Sequence, residues 1–191
     1  MNKYEHAFNS DYILKEEYKK LIEKYNPDIL IETGSYEGVT TEYMCSFGLQ
    51  VITTEIDEGR FNITKNKLSS HSNCSVLLGD SEVELRKIFS EIKHKKALAF
   101  LDAHWFDDKV LERELALLSE LDNSPVIIIH DFMVPDTDLG YDCYGGIVYD
   151  YSNYKRFFDQ VYGENKYSYR YSKEAAGIRR GVIFLEPSQI S

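Results

Sequence analysis

The feature that most constrains this chain is a repeated alternation of short, largely apolar runs with longer amphipathic stretches. The runs fall at residues 29–31, 51–54, 75–78, 97–101 and 126–129. A strand covered on both faces reads as a continuous apolar run, and helices between such strands supply parallel crossovers. The pattern therefore predicts an α/β fold, doubly wound, around a mostly parallel sheet. Helices are expected over residues 11–25, 40–47, 60–68, 82–92, 109–121 and 151–162, the first from the spacing of Tyr12, Ile13, Tyr18, Leu21, Ile22 and Tyr25 among Lys and Glu. Two further runs at 167–171 and 182–185 bring the sheet to seven strands. They are joined by about ten residues with no helical signal, so the last strand is expected to be antiparallel. With no repeat and no linker, the 191 residues are expected to form one domain.

Composition narrows the function classes. A formal charge of −10 repels phosphate backbones, which argues against nucleic acid or an anionic membrane as the partner. Lys93, His94, Lys95 and Lys96 form the densest basic cluster and read as a solvated loop ahead of a strand. The first ten residues lack the apolar core of a signal peptide, and no run approaches a membrane span, so the expected location is cytoplasmic. Cys45, Cys74 and Cys143 share no metal-like spacing and are expected to be reduced thiols. A homo-oligomer is left open.

Residues 27–41 (PDILIETGSYEGVTT) pass from a strand through a glycine turn into a helix. Glycine lets the backbone approach a ligand, and a helix start offers free N–H groups. In an open α/β sheet, ligands bind beyond the carboxyl ends of the strands, and here those ends carry Glu32, Glu55, Asp80, Asp102 and His130 with Asp131. Glu55, 23 residues after Glu32, is placed to accept from ribose hydroxyls, the alternative being an exposed loop carboxylate beside Asp57 and Glu58. Asp102 follows ALAFL and Asp131 follows VIIIH, so on neighbouring strands about 4.8 Å apart the two carboxylates would converge. Two such carboxylates repel unless a cation lies between them. Oxygen ligands suit Mg²⁺; an imidazole from His130 would admit Mn²⁺ or Fe²⁺, with Asp107 a further donor. Strand alternation, however, turns His130 away from Asp131, and either aspartate could instead cap the next element. Residues 135–146 (PDTDLGYDCYGG) are the one long irregular segment expected, a candidate loop over the substrate.

These residues together resemble a class I S-adenosylmethionine (SAM) dependent methyltransferase, and most of all the small metal-dependent O-methyltransferases of the catechol O-methyltransferase type. ETGSYEGVT matches that family's first motif, ITTEID its second-strand acid, GDSE its adenine contact, FLDAHW its metal aspartate with the following His and Trp, and IIIHDF its second metal aspartate. The resemblance implies a Rossmann-like methyltransferase fold and SAM held by Glu32, Gly34, Ser35, Tyr36, Gly38, Thr40, Glu55, Asp80, Ser81, Asp102, His104 and Trp105. It implies a divalent metal on Asp102 and Asp131, with His130 a candidate third ligand. The chain departs from the family in having Phe132 where Asn is common, and Ala103 and Phe106 near the place of a lysine base.

The expected reaction is methyl transfer from SAM to a hydroxyl of a small-molecule acceptor, whether a phenol, a sugar or a secondary metabolite. The metal would lower the hydroxyl pKa, and His104, or alternatively His130, would act as base. Two rivals stand beside it. One is a non-catalytic SAM-binding regulatory module. The other is a nucleotide-dependent oxidoreductase, weakened because the first turn lacks the G-x-G-x-x-G pattern.

Overall fold

A computed structural model describes residues 3–103 and 109–188. The elements run α1 (Tyr12–Tyr25), β1 (Ile29–Thr33), α2 (Val39–Cys45), β2 (Gln50–Glu55), α3 (Glu58–Lys67), β3 (Cys74–Leu78), α4 (Ser81–Lys87), α5 (Phe89–Ile92), β4 (Ala97–Leu101), α6 (Val110–Leu118), β5 (Val126–His130), β6 (Cys143–Tyr144), β7 (Ile147–Val148), α7 (Tyr151–Tyr162), β8 (Tyr167–Ser172) and β9 (Val182–Pro187). Seven strands form one sheet in the order β3-β2-β1-β4-β5-β9-β8. The first five pair in parallel, and β9 is antiparallel to both β5 and β8. The expected fold class holds, and the order reverses between β1 and β4. No helix among the described residues is long and apolar enough to cross a membrane.

Strand alternation divides the core into two layers. Ile29, Ile31, Ala97, Ala99, Leu101, Ile127 and Ile129 face the side covered by Leu85 of α4, Leu111 and Leu115 of α6, and Tyr154 and Phe158 of α7. Leu30, Leu98, Phe100, Val126 and Ile128 face the side covered by Leu14, Tyr18 and Leu21 of α1 and Tyr43 and Met44 of α2. Both layers end at the carboxyl edge, where the next side chains in register are polar.

Three expectations need correction. The helix expected over 82–92 breaks at Ile88 (φ −107°, ψ 10°) into α4 and α5. The 135–146 segment is not irregular throughout: β6 and β7 form a hairpin through Gly145 (φ +56°) and Gly146 (φ +82°). A two-residue turn with both φ values positive matches strand twist, and Gly-Gly takes it without Cβ strain. The third concerns register. The ladder pairs Leu98 with Val126 and Leu101 with Ile129. Asp102 is therefore level with His130, and Asp131 lies one residue beyond.

Phe100 packs at 5.1 Å from the Phe8 ring and 5.9 Å from the His130 ring, on the layer beneath the polar edge. Phe100→Ala should destabilise the fold by about 3–5 kcal/mol, read as a shift of the urea midpoint at constant slope.

Candidate active site

The glycine turn after β1 is held against its neighbours by backbone contacts. Gly34 N–H and Ser35 N–H both donate to the Thr54 carbonyl, at 3.1 and 3.0 Å. Gly34 has φ +80°, and a Cβ there would lie 2.7 Å from the Asp102 carbonyl oxygen, so no side chain fits. Tyr36, also left-handed at φ +52°, turns its N–H towards β2 and donates to Glu55 Oε2 at 2.7 Å. Asp57 N–H donates to Glu55 Oε1 at 2.9 Å. The carboxylate is thus fixed by one backbone donor on each oxygen. The Arg60 guanidinium lies 4.4 Å from the centre of the Tyr36 ring. At the end of β3, Gly79 N–H donates to the Glu55 carbonyl at 2.8 Å; Asp80 caps α4 and pairs with Arg113 at 2.8 Å.

Gly34, Tyr36, Glu55, Arg60, Gly79 and Asp80 line one end of a cavity of about 800 Å³ along the carboxyl edge, and the other end is charged. His130 Nδ1 lies 3.0 Å from Asp102 Oδ1 and 3.2 Å from Asp131 Oδ1. Asp131 has φ +59°, a left-handed turn that returns its carboxylate to the imidazole that plain alternation would have left behind. Arg180, two residues before β9, donates from Nε to Asp131 Oδ1 and from Nη2 to Asp142 Oδ1. The Tyr144 hydroxyl donates to Asp142 Oδ2 at 2.6 Å. The hairpin segment is tied in by Asp142 N–H donating to the Asp131 carbonyl and by a bridge between Gly140 and Arg180.

Burial opposes a charge on His130, but Asp102 and then Asp131 outweigh it and push its pKa up to about 10. Burial would raise the Asp131 carboxyl, yet His130 and Arg180 hold it well below the usual carboxylate range. Burial likewise works against the Arg180 charge, and Asp131 and Asp142 overcome it and raise its pKa.

No family model matches the sequence, and no curated protein matches it either. Solved structures do match in shape. The O-methyltransferase from Bacillus cereus in complex with S-adenosylhomocysteine (SAH) is 17% identical with a TM-score of 0.69, over 92% of this chain and 81% of that one. The O-methyltransferase TomG from Streptomyces achromogenes, involved in tomaymycin synthesis and in complex with SAM, is 12% identical with a TM-score of 0.68, over 92% and 80%. The CurJ carbon methyltransferase is 15% identical with a TM-score of 0.63, over 93% and 54%. The chain has the Rossmann-like methyltransferase fold.

Within that fold, Gly34, Tyr36, Glu55, Asp80, Ser81, Asp102 and Asp131 line the cavity. Glu32 does not: it is buried on the α2 side of the sheet and accepts from Thr41 Oγ1 and Thr53 Oγ1 at 2.5 and 2.6 Å. Ser35, Gly38 and Thr40 lie behind the turn: Ser35 Oγ is 3.4 Å from Thr64 Oγ1, Gly38 caps α2 with the Thr64 methyl against it, and Thr40 Oγ1 accepts from Phe8 N–H. His130 is buried beneath the charged end. His104 and Trp105, and with them Asp107, lie outside the described residues. Sequence reasoning missed Arg180, Asp142, Tyr144 and Arg60, all of which line the cavity. The only signal for Arg180 was an Arg pair between two glycines in an acidic chain.

Two buried carboxyls flank the turn on opposite faces. Burial pushes Glu32 up to about 7 against the Thr41 and Thr53 hydroxyls, and pushes Glu114 up to about 7 against Ser81 and Thr33, Ser81 Oγ donating to it at 2.5 Å. A raised folded-state pKa stabilises below the unfolded value and is lost as pH rises to the folded value. Stability from each group should therefore fall between about pH 4.5 and 7. Relative to the native chain, Glu32→Gln and Glu114→Gln should each gain up to about 3 kcal/mol over that window, checked by urea unfolding at a series of pH values. Curves that stay parallel would show that neither carboxyl is held neutral.

Proposed function

We propose that the chain is a SAM-dependent methyltransferase that methylates an oxygen of a small molecule. The observation that carries the proposal is one cavity with a fixed, backbone-held Glu55 at one end and a charged cluster around Asp102, Asp131 and Arg180 at the other. Neighbours in fold were solved with SAH or SAM, which supports the cofactor. The fold also hosts a carbon methyltransferase, so the acceptor atom is argued from the charged end and not from the fold.

The residues fit SAM. Both Glu55 oxygens already take one backbone N–H each, which fixes the plane while leaving further lone pairs for ribose hydroxyls. Asp80 and Ser81 flank the place for adenine, with Val110 beside them in the lining. Gly34 lets the turn after β1 close against the Asp102 backbone and lines the cavity between the two strand ends, the proposed place of the methionine portion. When bound, SAM supplies a sulfonium methyl group whose bonding pair stays on sulfur as the new bond forms. The chain's part is to hold the acceptor hydroxyl in line with that group and to take its proton. Asp102 lines the cavity at its charged end, which makes its carboxylate the proposed proton acceptor. His130, buried and held cationic by two carboxylates, positions Asp102 and is unsuited to be the base.

The donor atoms bear on the divalent metal expected from the sequence. Asp102, His130 and Asp131 offer one atom each within 4.8 Å of one another, the geometry of a partial metal site. Their spacing near 3 Å suits shared protons as well as a shared ion. Asp131 Oδ1 is the atom that decides, because it already accepts from Arg180 Nε beside the imidazole. An ion bound there would displace or lie against a guanidinium, and the donor set does not fit it.

Isothermal titration with SAH tests the function. Binding is expected, and Glu55→Ala should weaken it at least tenfold, or about 1.4 kcal/mol. Absence of binding at millimolar SAH would overturn the proposal.

A further inference from the structure

We propose that Arg180 is the cation of the acceptor site, standing where a divalent ion would otherwise be needed, and that the site works without metal. The inference rests on the methyltransferase reading above and concerns how the acceptor end is built.

The need for a cation follows from the sheet. Parallel β4 and β5 deliver Asp102 and His130 side by side, and the left-handed turn at Asp131 adds a second carboxylate to the same spot. Asp142, carried in by the hairpin segment, adds a third. Carboxylates crowded into a partly buried site repel unless positive charge is interleaved with them. The chain supplies that charge itself. Arg180 bridges Asp131 and Asp142 through two different nitrogens, so its planar fork is fixed in orientation as well as place. The anchoring is reinforced from the backbone: Gly181 N–H donates to the Gly140 carbonyl at 2.8 Å, and a Cβ on Gly140 would lie 2.9 Å from Arg180 Nη1. The side chain is only a quarter exposed, and it lines the cavity.

A guanidinium in that position does two parts of a metal's work. It orients the acceptor oxygen by donating to it, and it stabilises negative charge building on that oxygen while the proton passes to Asp102. The balance closes without an ion: the oxygen lone pair forms the O–C bond, the C–S pair remains on sulfur, and the hydroxyl proton moves to carboxylate.

The test is Mn²⁺ binding, followed by the paramagnetic resonance signal of free Mn²⁺, on EDTA-treated protein with SAH titrated into the same samples. The native chain is expected to take up no Mn²⁺ below millimolar concentration and to bind SAH with the same affinity before and after EDTA. Arg180→Ala removes the guanidinium that bridges Asp131 and Asp142 and should tighten Mn²⁺ binding at least tenfold, an effect removed by adding Asp131→Asn. If Arg180→Ala does not fold, Arg180→Gln, which keeps an N–H donor and drops the charge, carries the same comparison. Micromolar Mn²⁺ binding by the native chain that Asp131→Asn abolishes would overturn the inference, as would equal Mn²⁺ affinity with and without Arg180. Loss of SAH binding in the native chain would instead overturn the methyltransferase reading, so the two failures are separable.

Discussion

The pairing of Leu98 with Val126 between β4 and β5 decides what stands at the charged end of the cavity. Parallel strands carry side chains forward at equal steps, so this register sets Asp102 beside His130 and leaves Asp131 to overshoot. The overshoot is recovered by a left-handed residue, and the carboxylate comes back to within 3.2 Å of the imidazole. A shift of one residue would set the two aspartates level and bury the imidazole against the opposite layer. That one ladder makes Asp102 and Asp131 share the His130 imidazole, while Arg180, which bonds Asp131 and Asp142, is brought in by the segment leading into β9.

The opposite end of the cavity is built differently. The groups around Glu55 are fixed almost wholly by backbone donors: Gly34 and Ser35 on Thr54, Tyr36 and Asp57 on Glu55, Gly79 on the Glu55 carbonyl. Backbone donors lose little freedom on binding, which favours a preorganised cradle. Glu32, which the sequence pattern placed around the ligand, belongs to this scaffold. It ties β1, β2 and α2 together through Thr53 and Thr41, and its burial raises its pKa to about 7.

The fold was legible because continuous apolar runs and amphipathic spacing both report burial, and each β1 to β5 run maps to a strand. The glycine turn and the acids at strand ends were legible for a related reason, since local backbone constraints fall on neighbouring residues. Register was not. Runs of equal length before Asp102 and Asp131 hold no information on which residue faces which, and the count came out one residue off. Arg180 was illegible because its partner Asp131 is 49 residues away, and the contact exists only once β9 has inserted next to β5. Asp142 and Tyr144 were hidden for the same reason, inside a segment that read as loop but folds into a hairpin. A cation requirement at the paired aspartates was visible from charge alone. Its source within the chain was not.

A crystal structure grown with SAH and soaked in Mn²⁺, recorded at the manganese absorption edge, tests the central claim most directly. The account predicts SAH along the carboxyl edge with its ribose on Glu55, its sulfur facing Asp102, and Arg180 still bridging Asp131 and Asp142 with no anomalous peak between them. A cavity without SAH, or a manganese ion bound by Asp102, His130 and Asp131 with Arg180 displaced, would contradict it.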